Sequence, residues 1–247
     1  MQTGFKTWRK YFLYNKEHFN HIHFSQSELS EAETEFITSS IQQFQKGESS
    51  EGLYLLKVAK ETGDEDYLES IRLFIAEEKN HATSLARFMR QENIPLLKSH
   101  WVDSCFRGLR RVATFENTIT VVLTAEIIAA VYYRALKNVT RSQPLSAICK
   151  QIISDEEMHI NFQCQTLHDL RLKNSGFKKF IYGLYRRVLM TGTTLITWFY
   201  HGSVLRKGGF SFTGYLAAVE TEFFRSQNMI EGRKEIAVRS ILTKETV

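Results

Sequence analysis

Glu78 and His81 stand three residues apart, as do Glu156 and His159. On an α-helix a three-residue step brings two side chains onto one face, so each Glu-x-x-His offers a carboxylate oxygen and an imidazole nitrogen to one point. Each pair follows a glutamate set in an apolar stretch, Glu51 at 27 residues before Glu78 and Glu126 at 30 before Glu156. In a helical hairpin such a glutamate meets the pair only if both lie about equally far from the turn. The turn at Gly63-Asp64 is midway between Glu51 and Glu78, and the turn near Arg141 is midway between Glu126 and Glu156, so both hairpins pass. Four carboxylates nearly neutralise two divalent cations, whereas without metal they would be buried at severe desolvation cost. The expected chemistry is therefore the binding of two metal ions, with Glu51, Glu78, His81, Glu126, Glu156 and His159 as ligands. A mixed carboxylate and imidazole set suits iron or manganese. Glu48, three residues earlier on the same stripe, is the rival to Glu51, which is preferred for hairpin symmetry and distance from Gly47.

Helices must position these residues. From Glu31, apolar residues at Ile37, Ile41, Phe44, Leu55 and Val58 recur at three- and four-residue steps. Gly47 and the Ser49/Ser50 pair predict a break, with a restart at Ser49 or Ser50 as N-cap and helix over Glu51 to Glu61. Thr62-Gly63 ends that helix and Asp64 caps the next, expected from about Glu65 to Gln91 and stopped before Pro95. A connecting segment from about Asn93 to Arg111 leads to a third long helix over about Ala113 to Asn138, very apolar through Ile119, Val122, Leu123, Ile127, Ile128 and Val131 with the lone Glu126 in its middle, and so expected to be buried almost all round. The turn Thr140 to Pro144 precedes a fourth helix to about Lys173, with Ile148, Ile152, Glu156, His159 and Gln163 inward. Beyond Gly176, two or three aromatic-rich helices are expected, broken around Gly202 and Gly208-Gly209. They would serve core packing, a substrate channel or a homodimer surface.

The two Glu…Glu-x-x-His repeats resemble the ferritin-like di-iron carboxylate superfamily over about Glu51 to Lys173. That resemblance implies an all-α fold, an antiparallel four-helix bundle with extra N- and C-terminal helices, in a single domain over 1–247 with its metal-binding core at about 31–173 and additional helices at 176–240. It implies two Fe ions, with Mn or a mixed Mn/Fe pair accepted by the same ligands, and a non-haem di-iron oxidase or oxygenase. In this reading Glu51, Glu78, Glu126 and Glu156 are also the catalytic carboxylates. Dioxygen would be reduced and a small, apolar organic substrate oxidised or hydroxylated, with an external electron-donor protein as a further partner. Glu77 and Asp155, each immediately before a ligand Glu, match the acidic residue that accepts a hydrogen bond from a ligand His in the superfamily. The chain departs from it at Leu85, where radical-forming members carry Tyr, and at Ala129 and Ala130, where oxygenases often carry Thr. Tyr54, Tyr132 and Tyr133 remain as redox candidates, with helix packing the simpler role. A ferroxidase or iron-storage protein is the alternative function, and a non-catalytic metal-binding partner protein a third.

Composition narrows the field. Acidic and basic residues are mixed along most of the chain, so the net charge of +5 does not predict nucleic-acid binding. Cys105, Cys149 and Cys164 form no C-x-x-C pair, which argues against a zinc ribbon, a rubredoxin-type iron centre or a disulfide scaffold. A cytoplasmic location is the expectation, because Met1 to His23 lacks the apolar core of a signal peptide. No stable membrane insertion is expected, since the apolar stretch Val188 to Tyr200 is too short to span and better suits an interfacial or buried helix.

Overall fold

The computed structural model describes residues 4–17, 22, 29–49, 52–98, 114–172 and 174–238. Eight α-helices and no strands are found among them: α1 (Gly4–Glu17), α2 (Glu31–Glu48), α3 (Leu53–Glu61), α4 (Glu65–Gln91), α5 (Phe115–Val139), α6 (Gln143–Leu172), α7 (Gly176–Lys207) and α8 (Phe212–Ile230). The expected all-α architecture is present, with helices packed as a bundle.

Side-chain caps set most of the helix starts by satisfying backbone N–H groups that have no intrahelical acceptor. Ser30 and Glu33 form a reciprocal capping box at α2. Asp64 accepts from the Tyr67 amide at 2.9 Å at α4, and Thr114, Ser175 and Ser211 act likewise at α5, α7 and α8.

The centre of the bundle is α5, buried nearly all round through Ile119, Leu123, Ile127, Val131 and Leu136. Its length and hydropathy would let it cross a membrane, but here those residues are covered by protein. Its most extensive packing is on α6, to which a three-residue link joins it, and it also packs on α7 and α8. Helix α4 packs against α1, α2, α3 and α6. The extra N-terminal helix places Phe5, Trp8 and Phe12 three and four residues apart on its inner face, where all three rings meet Phe162.

Two breaks differ from the sequence reading. Helix α2 runs through Gly47 to Glu48, and α3 restarts only after Gly52, whose φ of 63° lies in the left-handed region. A Cβ at Gly52 would stand 2.6 Å from Ile75 Cδ1, so this crossing of α3 over α4 requires glycine. Near the C-terminus, α7 passes unbroken through Gly202, because a single glycine costs a packed helix only about 1 kcal/mol. It stops at Gly208-Gly209, the second of the two expected breaks. There a Cβ on Gly208 would lie 2.8 Å from the backbone of Ala135 on α5. The expected connecting segment lies largely outside the described residues, including Trp101, Cys105 and Gly108.

Candidate metal centre

Four helices bring carboxylates and imidazoles to one place inside the bundle: α2 ends on Glu48, α4 carries Glu78 and His81, α5 carries Glu126, and α6 carries Glu156 and His159. One donor atom from each of Glu48, Glu78, His81 and Glu156 lies within 4.8 Å of all the others. The same holds for Glu78, Glu126, Glu156 and His159. Glu78 and Glu156 belong to both groups, so each group has its own His and one further Glu of its own. Every member is buried except Glu78, which is partly so.

The imidazoles are held from behind. His81 Nε2 lies 3.0 Å from Asp155 Oδ2, and His159 Nε2 lies 2.9 Å from Glu77 Oε2. A carboxylate can only accept, so each Nε2 carries the proton, and in a neutral ring the lone pair is then on Nδ1. Each Nδ1 faces the cluster: His81 Nδ1 is 3.6 Å from Glu78 Oε1, and His159 Nδ1 is 3.1 Å from the same atom and 3.6 Å from Glu126 Oε2. The bonds run crosswise, since the histidine of α4 uses the acid of α6 and the histidine of α6 uses the acid of α4. Asn15 of α1 ties the two acids together, donating to Glu77 Oε1 at 2.6 Å and Asp155 Oδ1 at 3.3 Å. Gln151 donates to Asp155 from one turn earlier. Tyr133 donates to Glu48 Oε1 at 2.8 Å.

What the protein leaves unsatisfied is informative. Glu78 Oε1, both Glu156 oxygens and both Nδ1 atoms are buried without a hydrogen-bond partner in the protein. A buried polar group without a partner is costly, and native structures hold few. Five such atoms aimed at one another are accounted for by cations placed between them, so the residues present fit a two-metal site.

The electrostatics of the metal-free cluster describe the same charge imbalance. Burial, then the neighbouring Glu126, pushes the Glu156 carboxyl well above its ordinary range, and burial with Glu78 does the same to Glu48. Burial lowers the His81 imidazole, but the hydrogen bond to Asp155 and the surrounding carboxylates outweigh it and raise it to about 9. Burial lowers His159 too, but the surrounding carboxylates of Glu126, Glu156, Glu77 and Glu78 outweigh it and raise the ring well above its usual value. Without cations, the cluster keeps protons that cations would displace.

Of the six expected ligands, Glu78, His81, Glu126, Glu156 and His159 come together. Glu51 lies outside the described residues, and within them the rival Glu48 fills the fourth carboxylate corner. Glu77 and Asp155 bond the ligand histidines, each across to the other motif's ring. The sequence reading did not include Asn15 or Gln151, nor the bond from Tyr133 to Glu48. Gln151 could have been found by its four-residue spacing from Asp155, but Asn15 carries no sequence signal. Ala129 and Ala130 are buried on α5. Comparisons with protein-family models, curated proteins and solved structures gave no match for this chain.

Proposed function

We propose that the chain is a di-iron carboxylate oxidoreductase, built on a ferritin-like antiparallel four-helix arrangement, that activates dioxygen to oxidise or hydroxylate a small apolar organic substrate. The observation that carries this reading is the pair of four-donor groups sharing Glu78 and Glu156. Glu48 and His81 would complete one iron position, Glu126 and His159 the other. Bound Fe(II) would supply the electrons for dioxygen reduction, an external donor restoring them.

The protein's own groups have separate tasks. Asp155 and Glu77 hold the Nε2 protons and so keep both Nδ1 lone pairs directed at the iron positions. Tyr133 fixes the orientation of Glu48 through its hydrogen bond. Phe12 and Phe74, with ring centroids 6.2 and 4.7 Å from that of His159, keep water from the rear of the site.

The test is anaerobic loading with Fe(II) followed by metal analysis, in the wild type and in Glu78→Ala and Glu156→Ala. About two irons per chain, lost in both variants because each removes a bridge, is the expected result. Absence of iron after loading would sink the metal reading. Bound iron without substrate-dependent oxygen uptake, across a screen of apolar metabolites, would leave the site and remove the oxygenase.

A further inference from the structure

Helix α7 buries one face on α5, α2 and α8 and leaves the opposite face uncovered. Along that face Phe177 (75% exposed), Phe180 (67%), Ile181 (45%), Leu184 (53%), Val188 (64%) and Phe199 (79%) stand in solvent. At 100° per residue they fall within one arc of about 100°, in a stripe about 33 Å long. The three phenylalanines alone leave roughly 400 Å² of apolar surface exposed, taking about 200 Å² per residue. That is already near the largest patch usual for a whole monomer. The stripe also broadens onto α8, where Phe224 (55% exposed) lies beside Arg187 of α7.

Charge decides what covers it. Helix α7 contains Lys178, Lys179, Arg186, Arg187, Arg206 and Lys207 and no acidic residue. Arg186 is buried, Arg187 is paired with Glu220, Arg206 lies over Trp198 and Lys207 over Phe36, whereas Lys178 and Lys179 are exposed in the same two turns as the phenylalanines, Lys178 on the flank of the stripe and Lys179 behind it. Every residue from 175 to 181 is exposed, so the first two turns project from the bundle with aromatic and cationic side chains together. A second copy laid on this stripe, parallel or antiparallel, would bring two helices of the same sign together. A negatively charged lipid surface instead accepts the rings at acyl depth and the lysines at the headgroups. Among the described residues only α5 is apolar enough to span, so α7 would lie on such a surface without crossing it.

We infer that the exposed face of α7 is a docking surface for an anionic membrane, with Phe177, Phe180 and Val188 inserted, Lys178 on the flank reaching back to the phosphates, and Lys179 adding to the local positive charge. This holds whether or not the metal centre works as proposed. The test is co-sedimentation of the full chain with vesicles of phosphatidylcholine alone or with about one third phosphatidylglycerol, at about 0.1 M and 0.5 M salt. Binding to the anionic vesicles, weakened by salt and by Lys178→Glu/Lys179→Glu, is expected. Phe180→Asp/Val188→Asp should lower partitioning at least tenfold, roughly the worth of one buried apolar side chain, without changing the circular dichroism or the melting temperature. Failure to bind either vesicle would overturn the inference, as would equal binding to both. So would a lipid-free dimer in sedimentation velocity that Phe180→Asp/Val188→Asp converts to monomer, because the face would then belong to a second copy.

Discussion

Stripping metal from the protein and raising the pH from 6.5 to 9 should make it progressively easier to unfold. His81 rises from its ordinary 6.5 to about 9 in the folded chain, through the Asp155 bond and nearby carboxylates acting against burial. A group whose folded value is raised contributes stability that is complete below the unfolded value and lost as the pH climbs through the folded one. The interval from 6.5 to about 9 corresponds to about 3 kcal/mol at 1.36 kcal/mol per pH unit. At about 2–4 °C per kcal/mol for a chain of this size, His81 alone accounts for about 6–12 °C of melting temperature. His159, Glu156 and Glu48 are also raised and act in the same direction. Glu78 and Asp155 are lowered, burial notwithstanding, by His159 and His81 respectively. Their contribution is present above the ordinary carboxylate range and so is constant across this window. The assay is thermal melting in chelator at half-unit pH steps, repeated with Mn(II) and with His81→Gln. Mn(II) should reverse the slope, because ligands must lose their protons to bind, and His81→Gln should make the metal-free slope shallower. A metal-free melting temperature that is flat or rising, or a slope unchanged in His81→Gln, would refute the argument.

Three other outcomes are expected. Tyr133→Phe removes the hydrogen bond to Glu48 while keeping the ring, and should weaken metal binding at one of the two positions by about 10–100-fold, read by Mn(II) titration. Gly52→Ala forces an alanine to a φ of 63° and into Ile75, and should cost about 1–3 kcal/mol in urea unfolding. Arg171 Nε donates to Glu116 Oε1 at 2.7 Å with both side chains nearly inaccessible, so Arg171→Ala strands a buried carboxylate beside Asn174 and should cost about 3–5 kcal/mol by the same measurement.

Much of the site was legible because its chemistry is periodic. Glu78/His81 and Glu156/His159 each occupy one helix face, and neighbouring apolar residues at the same spacing show that the face is inward. Glu126 was equally plain as the lone charge in the apolar run that became α5. The first carboxylate was harder, because the distance to the turn was counted as if helix continued from Glu51 to Glu61. The structure ends α2 at Glu48 and begins α3 at Leu53, so the helix that carries Glu48 is not the one counted back from the turn. Counting from the turn therefore could not separate Glu48 from Glu51. Asn15 was invisible for another reason: its contact joins parts of the chain 62 and 140 residues apart, and an asparagine on an amphipathic helix looks like any solvated one. Gly202 was read as a breaker from propensity alone, whereas burial of Met190, Thr194, Thr197, Val204 and Leu205 on either side carries the helix through it.

The crossed bonds of His81 with Asp155 and His159 with Glu77 act as a gauge between α4 and α6. Sliding one helix along the other by a single residue, about 1.5 Å, would break both together. The imidazole rings are thus kept with centroids 5.8 Å apart by protein contacts alone. Ions of different radius would meet a fixed pair of nitrogens. Adjustment to their size falls on the carboxylate arms of Glu48, Glu126 and the two bridging glutamates, and it is there that a preference between one metal and another would be set.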